Sequence, residues 1–424
     1  MTRSRRPDRP RAAHTPGARD PYGLMPSGVP IAALLSIVGL LLVGIVTFAV
    51  ASGSIPLLGS SGAANSSGEP GRTDDPKVLK TPTPSNIVVV PTDEPGITVP
   101  GTIVYAKDGN IWVQAGGKAS QLTDDGHDSQ PSFSKDGSAV YFVRTRGLDG
   151  MWSVDGSLRN YRLEVPSIMK VATAGGSASR VFDGLIDPAG RLKWMGFIQG
   201  PVVSPNGATI AMASDLPDPS RSDVTLKLLN LKSRKIIDAK QNQVAPLGHQ
   251  DPAWSPDGKR VAYVRADRDG AKGTPRIYVY TVATGKARAV TETGYLHPAY
   301  SPNGRYMAAT KTSSFGTDVV ILDASNGAEL LKLTSDGDSW GPVWSPAGDQ
   351  VAYLHISGQV VDLRLVQLEG SAPAWTAGKT VDLTSNAGLD SVSRPHWSIP
   401  ADQLPAETPE PATQAPAASS TTNP

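Results

Sequence analysis

PAWSPDGKRVAYVR, residues 252–265, decides how the rest of this chain is read. Its first residues are apolar or aromatic and few, as a short buried strand requires. Ser255-Pro-Asp-Gly258 is a turn signal: proline presets φ, aspartate favours the turn and glycine takes the positive φ. The alternating run from Arg260 to Val264 then predicts a second strand.

The pattern returns along the chain as PSFSKDGSAVYFVR (131–144), PVVSPNGATIAMAS (201–214), PAYSPNGRYMAATK (298–311), PVWSPAGDQVAYLH (342–355) and PHWSIPAD (395–402). Its prolines are spaced by 70, 51, 46, 44 and 53 residues. A period near 45–50 with several short strands per unit marks a propeller blade. Ile277-Tyr-Val-Tyr and Val319-Val-Ile-Leu supply third strands. The turns at Thr284-Gly285 and Asn326-Gly327 lead to fourth strands at Ala287-Arg-Ala-Val and Glu329-Leu-Leu-Lys-Leu. The fold class is therefore all-β: a six-bladed β-propeller of four-stranded antiparallel blades over residues 101–399.

The sixth motif supplies one strand before the pattern stops. Thr102-Ile-Val-Tyr, Asn110-Ile-Trp-Val-Gln and Ser120-Gln-Leu supply three more at the other end. Together they predict a blade shared by both ends, which removes two open sheet edges. Trp254, Trp344 and Trp397 stand two residues after their prolines, with Phe133 and Tyr300 in the same slot. That recurrence predicts packing between blades.

These repeats resemble the WD-like propeller repeats of the TolB family, whose mark is x-x-Ser-Pro-Asp-Gly followed by an apolar strand. The prolyl oligopeptidase and dipeptidyl peptidase propellers share that look. The resemblance covers residues 101–399 and implies the fold; propellers host many activities, so it implies function weakly. TolB is a periplasmic protein-interaction platform with a separate N-terminal α/β domain. Here a predicted membrane span and linker stand in that place, so a Tol-type envelope role does not carry over.

Residues 1–28 are polar and basic and read as a disordered cytoplasmic tail. Val29 to Ala51 runs 23 residues without a charge, enough for a single transmembrane helix. Arginines on its N-terminal side predict an N-inside orientation, with the propeller extracytoplasmic at the cell membrane. Ala49-Val50-Ala51 has the form of a signal-peptidase site; cleaved or retained, the segment exports the chain beyond Ala51. Residues 52–100 read as a Gly/Ser/Pro-rich tether, in which PSNIVVVP has strand character but no assigned role. Residues 400–424 read as a disordered Pro/Ala/Thr-rich tail.

With 40 basic and 39 acidic residues the chain has a net charge of +1 and offers no case for nucleic-acid binding. It has no cysteine, which excludes disulfides, thiolate metal sites and a cysteine nucleophile. No cofactor and no metal is expected: the histidines stand at different offsets from their prolines and need not converge. Gly337-Asp-Ser-Trp-Gly341 matches G-x-S-x-G, but a nucleophile elbow needs strand, turn and helix. Here the next blade's strand comes directly after, so no catalytic residue is assigned.

The loops before the prolines project from one face and end at the channel mouth. They carry His127, Asp128, His249, Asp251, Tyr295, His297, Asp338, Trp340, Asp390 and Arg394. A ring of polar and aromatic groups is a candidate ligand site; the same side chains could simply cap strands. The 70-residue first spacing predicts insertions at 147–160 and 185–200, as loops on a face. The reading is a membrane-tethered binding scaffold whose partner is an envelope protein, peptide or glycan. A channel-mouth hydrolase or lyase and a receptor's sensor domain are the alternatives.

Overall fold

Each Ser-Pro-Asp/Asn-Gly turn folds by the same local chemistry. In residues 252–265 the Ser255 hydroxyl donates to Asp257 Oδ1 at 2.6 Å and accepts the Arg260 N–H at 2.9 Å. Gly258 takes φ +68°, which closes the turn at no steric cost. Ser134 with Asp136, Ser204 with Asn206 and Ser301 with Asn303 repeat the arrangement. In residues 342–355 Ala347 has no oxygen to offer, and Ser345 turns to Asp349 instead.

The structure is a computed structural model and describes residues 88–89, 98–154, 156–186, 193–219, 224–239, 248–266 and 275–398. The apolar stretch 29–51, both predicted tails and nearly all of the tether lie outside the described residues. Among the described residues no helix is long and apolar enough to cross a membrane.

The turns generate six four-stranded antiparallel sheets. Blade 1 joins His396–Ser398 to Thr102–Lys107, Asn110–Ala115 and Lys118–Gln121, with Thr102 opposite Ser398 and Val104 opposite His396. The shared blade is as expected. Blades 2 to 6 begin with inner strands Asp128–Phe133, Gln199–Val203, His249–Trp254, Tyr295–Tyr300 and Ser339–Trp344.

No single core forms. Alternate residues of each strand face opposite neighbours, so the apolar side chains collect in six clusters, one per blade interface. Val261 and Tyr263 pack against blade 3, for example, while Ala262 between them packs against blade 5. The tryptophans two residues after the prolines pin neighbours together through their indole N–H groups. Trp254 donates to Val202 O and Trp344 to Ala299 O, both at 3.1 Å; Trp397 donates to Pro100 O at 2.7 Å.

That last bond shows fastening upstream of Gly101. Thr98 O accepts from Gln350 Nε2, and Val99 packs into the cluster between blades 6 and 1. Val88–Val89 pairs with Thr384–Ser385, so the segment left without a role laces the lead-in to blade 6.

The first insertion is not a loop. Residues 139–154 and 157–172 form one continuous hairpin, paired without interruption from Ala139–Ala172 to Val154–Ser157. Beyond the level of Asp128 the ribbon rises about ten residues, roughly 30 Å. The inner strand runs from the mouth face to the turn face and the second strand runs back, so the ribbon stands on the mouth face. In the second insertion Leu185–Ile186 pairs with Trp194–Met195, and Trp194 packs on Trp152 and Tyr161 of the ribbon.

Candidate channel-mouth site

The mouth is built by a bulge that five blades repeat. Ladder register slips between Ser129 and Ser132, Gln199 and Val202, Gln250 and Ala253, Leu296 and Ala299, and Trp340 and Val343. Each slip holds the residue just before the proline in left-handed backbone: Gln130 at φ 53°, Gly200 at 57°, Asp251 at 52°, His297 at 49° and Gly341 at 61°. A bulge of this kind re-aims a side chain. Three of the five are not glycine and carry local strain.

Arg394 holds the equivalent place in blade 1 and reaches across the channel. Its guanidinium donates to Pro298 O at 3.1 Å and Pro252 O at 3.2 Å. Its Nε lies 3.6 Å from Asp251 Oδ1, and His297 Nε2 lies 3.7 Å from Asp251 Oδ2. Both distances are too long for hydrogen bonds. Among the described residues nothing hydrogen-bonds to the Asp251 carboxylate, which is only 20% exposed.

His297 Nδ1 is 3.0 Å from the Thr310 hydroxyl, which accepts the Gly341 N–H at 3.0 Å. The set is satisfied when Thr310 donates to Nδ1, leaving the imidazole proton on Nε2, facing Asp251. Burial lowers the His297 pKa, and the Arg394 charge lowers it further against the pull of Asp251. The ring is neutral at pH 7 and offers a donor.

Below the mouth lies a cavity of about 390 Å³, with Gln130, Asp251, Val392 and Arg394 at its upper end and the inner-strand prolines beneath. His396 also lines it; burial and the Arg394 charge push its pKa down to about 4.

Of the ten residues singled out from sequence, Asp251, His297 and Arg394 meet here. Asp128, His249 and Tyr295 do not; they open their inner strands and are buried. Each is fixed by a partner on another strand. Asp128 takes a two-pronged bond from Arg144 at 2.6 and 2.7 Å. His249 Nδ1 accepts the Leu226 N–H at 2.9 Å, and its ring packs on Tyr263. The Tyr295 hydroxyl donates to Glu329, which also binds Lys311. As ligand groups these three are corrected: burial commits them to holding the strand.

Asp390 accepts from the Val392 N–H and the Ser393 hydroxyl, and Ser393 in turn accepts the Gln130 N–H. That chain positions the mouth without lining it. Trp340 Nε1 donates to Ser391 O, tying blade 6 to the same loop. His127 and Asp338 are exposed outside the cluster.

Two residues of the cluster were missed. Gln130 gives its side-chain oxygen to the Gly200 N–H at 2.6 Å, and Ser393 holds it. The usable signal was positional: two of the six residues before the prolines are glycines, which marks a slot that demands positive φ.

Ser339 of the G-x-S-x-G match is fully buried and opens the inner strand of blade 6. Its hydroxyl meets His355 Nδ1 at 3.1 Å and Asp336 at 3.0 Å, and Asp336 meets the same Nδ1 at 3.4 Å. A relay needs two different ring nitrogens. One nitrogen touching both is a strand lock, like Asp128 with Arg144.

A family model described as the TolB beta propeller domain matches residues 191–398. Among solved structures, TolB from Acinetobacter baumannii is similar at 19% identity and a TM-score of 0.51, covering 70% of this chain and 66% of that one. This chain thus spans about 66% of that protein's length. A putative TolB from Agrobacterium tumefaciens is similar at 16% identity and a TM-score of 0.49, covering 72% and 96%. No curated protein matches the chain. At these identities the likeness speaks for the fold alone.

Proposed function

We propose that this chain, a TolB-like six-bladed β-propeller, is an interaction scaffold of the cell envelope, held extracytoplasmically by the apolar segment 29–51. It binds an envelope protein, peptide or glycan on the mouth face. The observation that carries the reading is Asp251. Its carboxylate is one-fifth exposed at the mouth, sits on strained backbone, and among the described residues has no hydrogen bond, only Arg394 at 3.6 Å and His297 at 3.7 Å. It is placed to accept a donor from outside.

Net charge in the cluster is close to zero, with Arg394 balancing Asp251. A ligand entering here replaces the Arg394–carbonyl bonds with its own acceptors and gives its donors to Asp251. That favours a neutral, hydrogen-bond-rich group over a strong anion.

The test is in-cell photo-crosslinking from Gln130 in the full chain. Adducts that vanish in Asp251→Asn and Arg394→Gln, with melting temperature unchanged, support the reading. Adducts indifferent to both substitutions would falsify it. The His297–Asp251 pair is what a second reading, a glycan hydrolase or lyase, would use; turnover by the purified chain, abolished in Asp251→Asn, would favour it.

A further inference from the structure

Among the described residues, the ribbon of blade 2 is supported on one side only. Its second-strand edge receives the buttress: Lys193 N–H donates to Met151 O at 3.1 Å. One face receives Trp194, 5.6 Å from Trp152 and 5.5 Å from Tyr161. The third-strand edge is different. Thr145 N–H bonds His127 O, and Gly184 N–H bonds Pro166 O. These two bonds fix which way every peptide of the ribbon points. Tyr161 and Leu163 bond inward. Leu158, Asn160, Arg162 and Glu164 turn their N–H and C=O groups outward, where no described residue meets them.

The side chains of the same four residues share one face, and all four are exposed. Leu158 is 61% exposed and Met151, opposite Asn160, 38%. Arg162 has only a surface pair with Asp149, itself 92% exposed. An open edge beside an open face is a template for another strand.

We infer that the edge Leu158–Glu164 docks an extended segment of a partner protein as a third strand of the ribbon. The hydrogen-bonding row takes extended backbone and nothing else with the same economy. A second copy of this chain fits poorly. Antiparallel pairing about Tyr161 sets Leu158 against Glu164 and places the two Arg162 side chains diagonally on one face, where like charges repel. The C-terminal stretch of this chain is interrupted by Pro405, Pro409, Pro411 and Pro416, which lack the N–H groups a ladder uses. The partner segment carries an apolar side chain opposite Leu158 and Met151 and a basic one opposite Glu164. The inference rests on the scaffold reading and adds a second contact, on the same face as the mouth.

The experiment uses the full chain in its own cells, with a photo-crosslinking residue at Met151 and, separately, at Gln130. Expected is a Met151 adduct whose crosslinked residues fall in one proline-free segment of a single protein. Asn160→Pro deletes one outward N–H without touching the ribbon's internal ladder and lowers that adduct at least tenfold. Asn160→Ala leaves it within twofold. Arg162→Pro serves the same purpose if Asn160→Pro alters the melting temperature. In the purified chain, the amides of Leu158, Asn160 and Arg162 exchange hydrogen at least tenfold faster than those of Tyr161 and Leu163. Equal adducts in the proline variants, an adduct to a second copy, no Met151 adduct, or slow exchange at the outward amides overturns the inference. If Gln130 still crosslinks while Met151 does not, the docking edge falls and the scaffold stands.

Discussion

Two rings of side chains lie two residues apart on the same inner strands and have opposite fates. The residues that open the strands, Asp128, His249, Tyr295 and Ser339, are buried and held by partners on other strands of their own or the preceding blade. Of the residues before the prolines, Gln130, Asp251 and Arg394 line the channel mouth with His297 beside Asp251, and Gln130, Asp251 and His297 are on left-handed backbone. The bulge between them separates the two sets. Polar residues of similar kinds thus lock the blades in one ring and face the channel in the other. A polar loop residue near a channel is not a ligand group until its backbone geometry is known.

The contrast presupposes a closed ring, and the largest effect tests that closure. Trp397→Ala empties the cluster between blades 6 and 1 and removes the bond to Pro100 O. A loss of about 4 kcal/mol is expected, read as one cooperative shift in a denaturant melt. A separate early transition for blade 1 alone would show that the ends are not mutually fastened.

Asp128→Ala tests the locking ring. The carboxylate is fully buried against Arg144, and its loss, which leaves the guanidinium only Asp125 at 3.2 Å, is expected to cost about 2 kcal/mol. Crosslinking from Gln130 in the folded protein is expected to persist. Loss of both together would erase the distinction between the rings.

Acid sharpens it further. Burial, with Arg265 and Lys227 nearby, pushes the His249 pKa down to about 3, far below its unfolded value of about 6.5. Between those values the unfolded chain binds a proton that the native chain does not. Stability is therefore full above pH ~6.5 and falls by about 1.4 kcal/mol per pH unit as the pH drops. His396, at about 4, adds the same sign over a narrower window. Urea melts at pH 7 and pH 5 are expected to show the loss, and His249→Leu a clearly smaller one. An unchanged slope in that variant would place the acid sensitivity elsewhere.

The smallest effect has the opposite sign. Asp251→Gly relieves a non-glycine residue at φ 52° and is expected to stabilise by up to about 1 kcal/mol while weakening crosslinking at the mouth. A destabilised Asp251→Gly would mean that the carboxylate serves the ring after all.

Much of this protein was legible from its residues alone. Serine, proline, aspartate or asparagine, and glycine act within five residues of one another, so their turn forms wherever they occur together. The spacing of the six repeat prolines determined the number of blades, and the orphan strands at the two ends determined how the ring closes. The insertion at 147–160 was harder to read. Gly147, Gly150 and Gly156 look like loop residues, yet cross-strand pairing carries the first two in regular ladder and uses only the third as the turn.

The site was legible only as a set of loops. Only the offset from the repeat proline, three residues against one, separates Asp128 from Asp251 and His249 from His297. Their fates depend on the strand register, on a bulge two residues wide, and on partners far away in the chain: Arg394 meets Pro252 O across 142 positions. Sequence by itself determined the propeller, because turn chemistry and strand alternation are short-range. Tertiary structure decided which carboxylate faces the channel and which ribbon edge stays open among the described residues, because both depend on what the closed ring brings alongside.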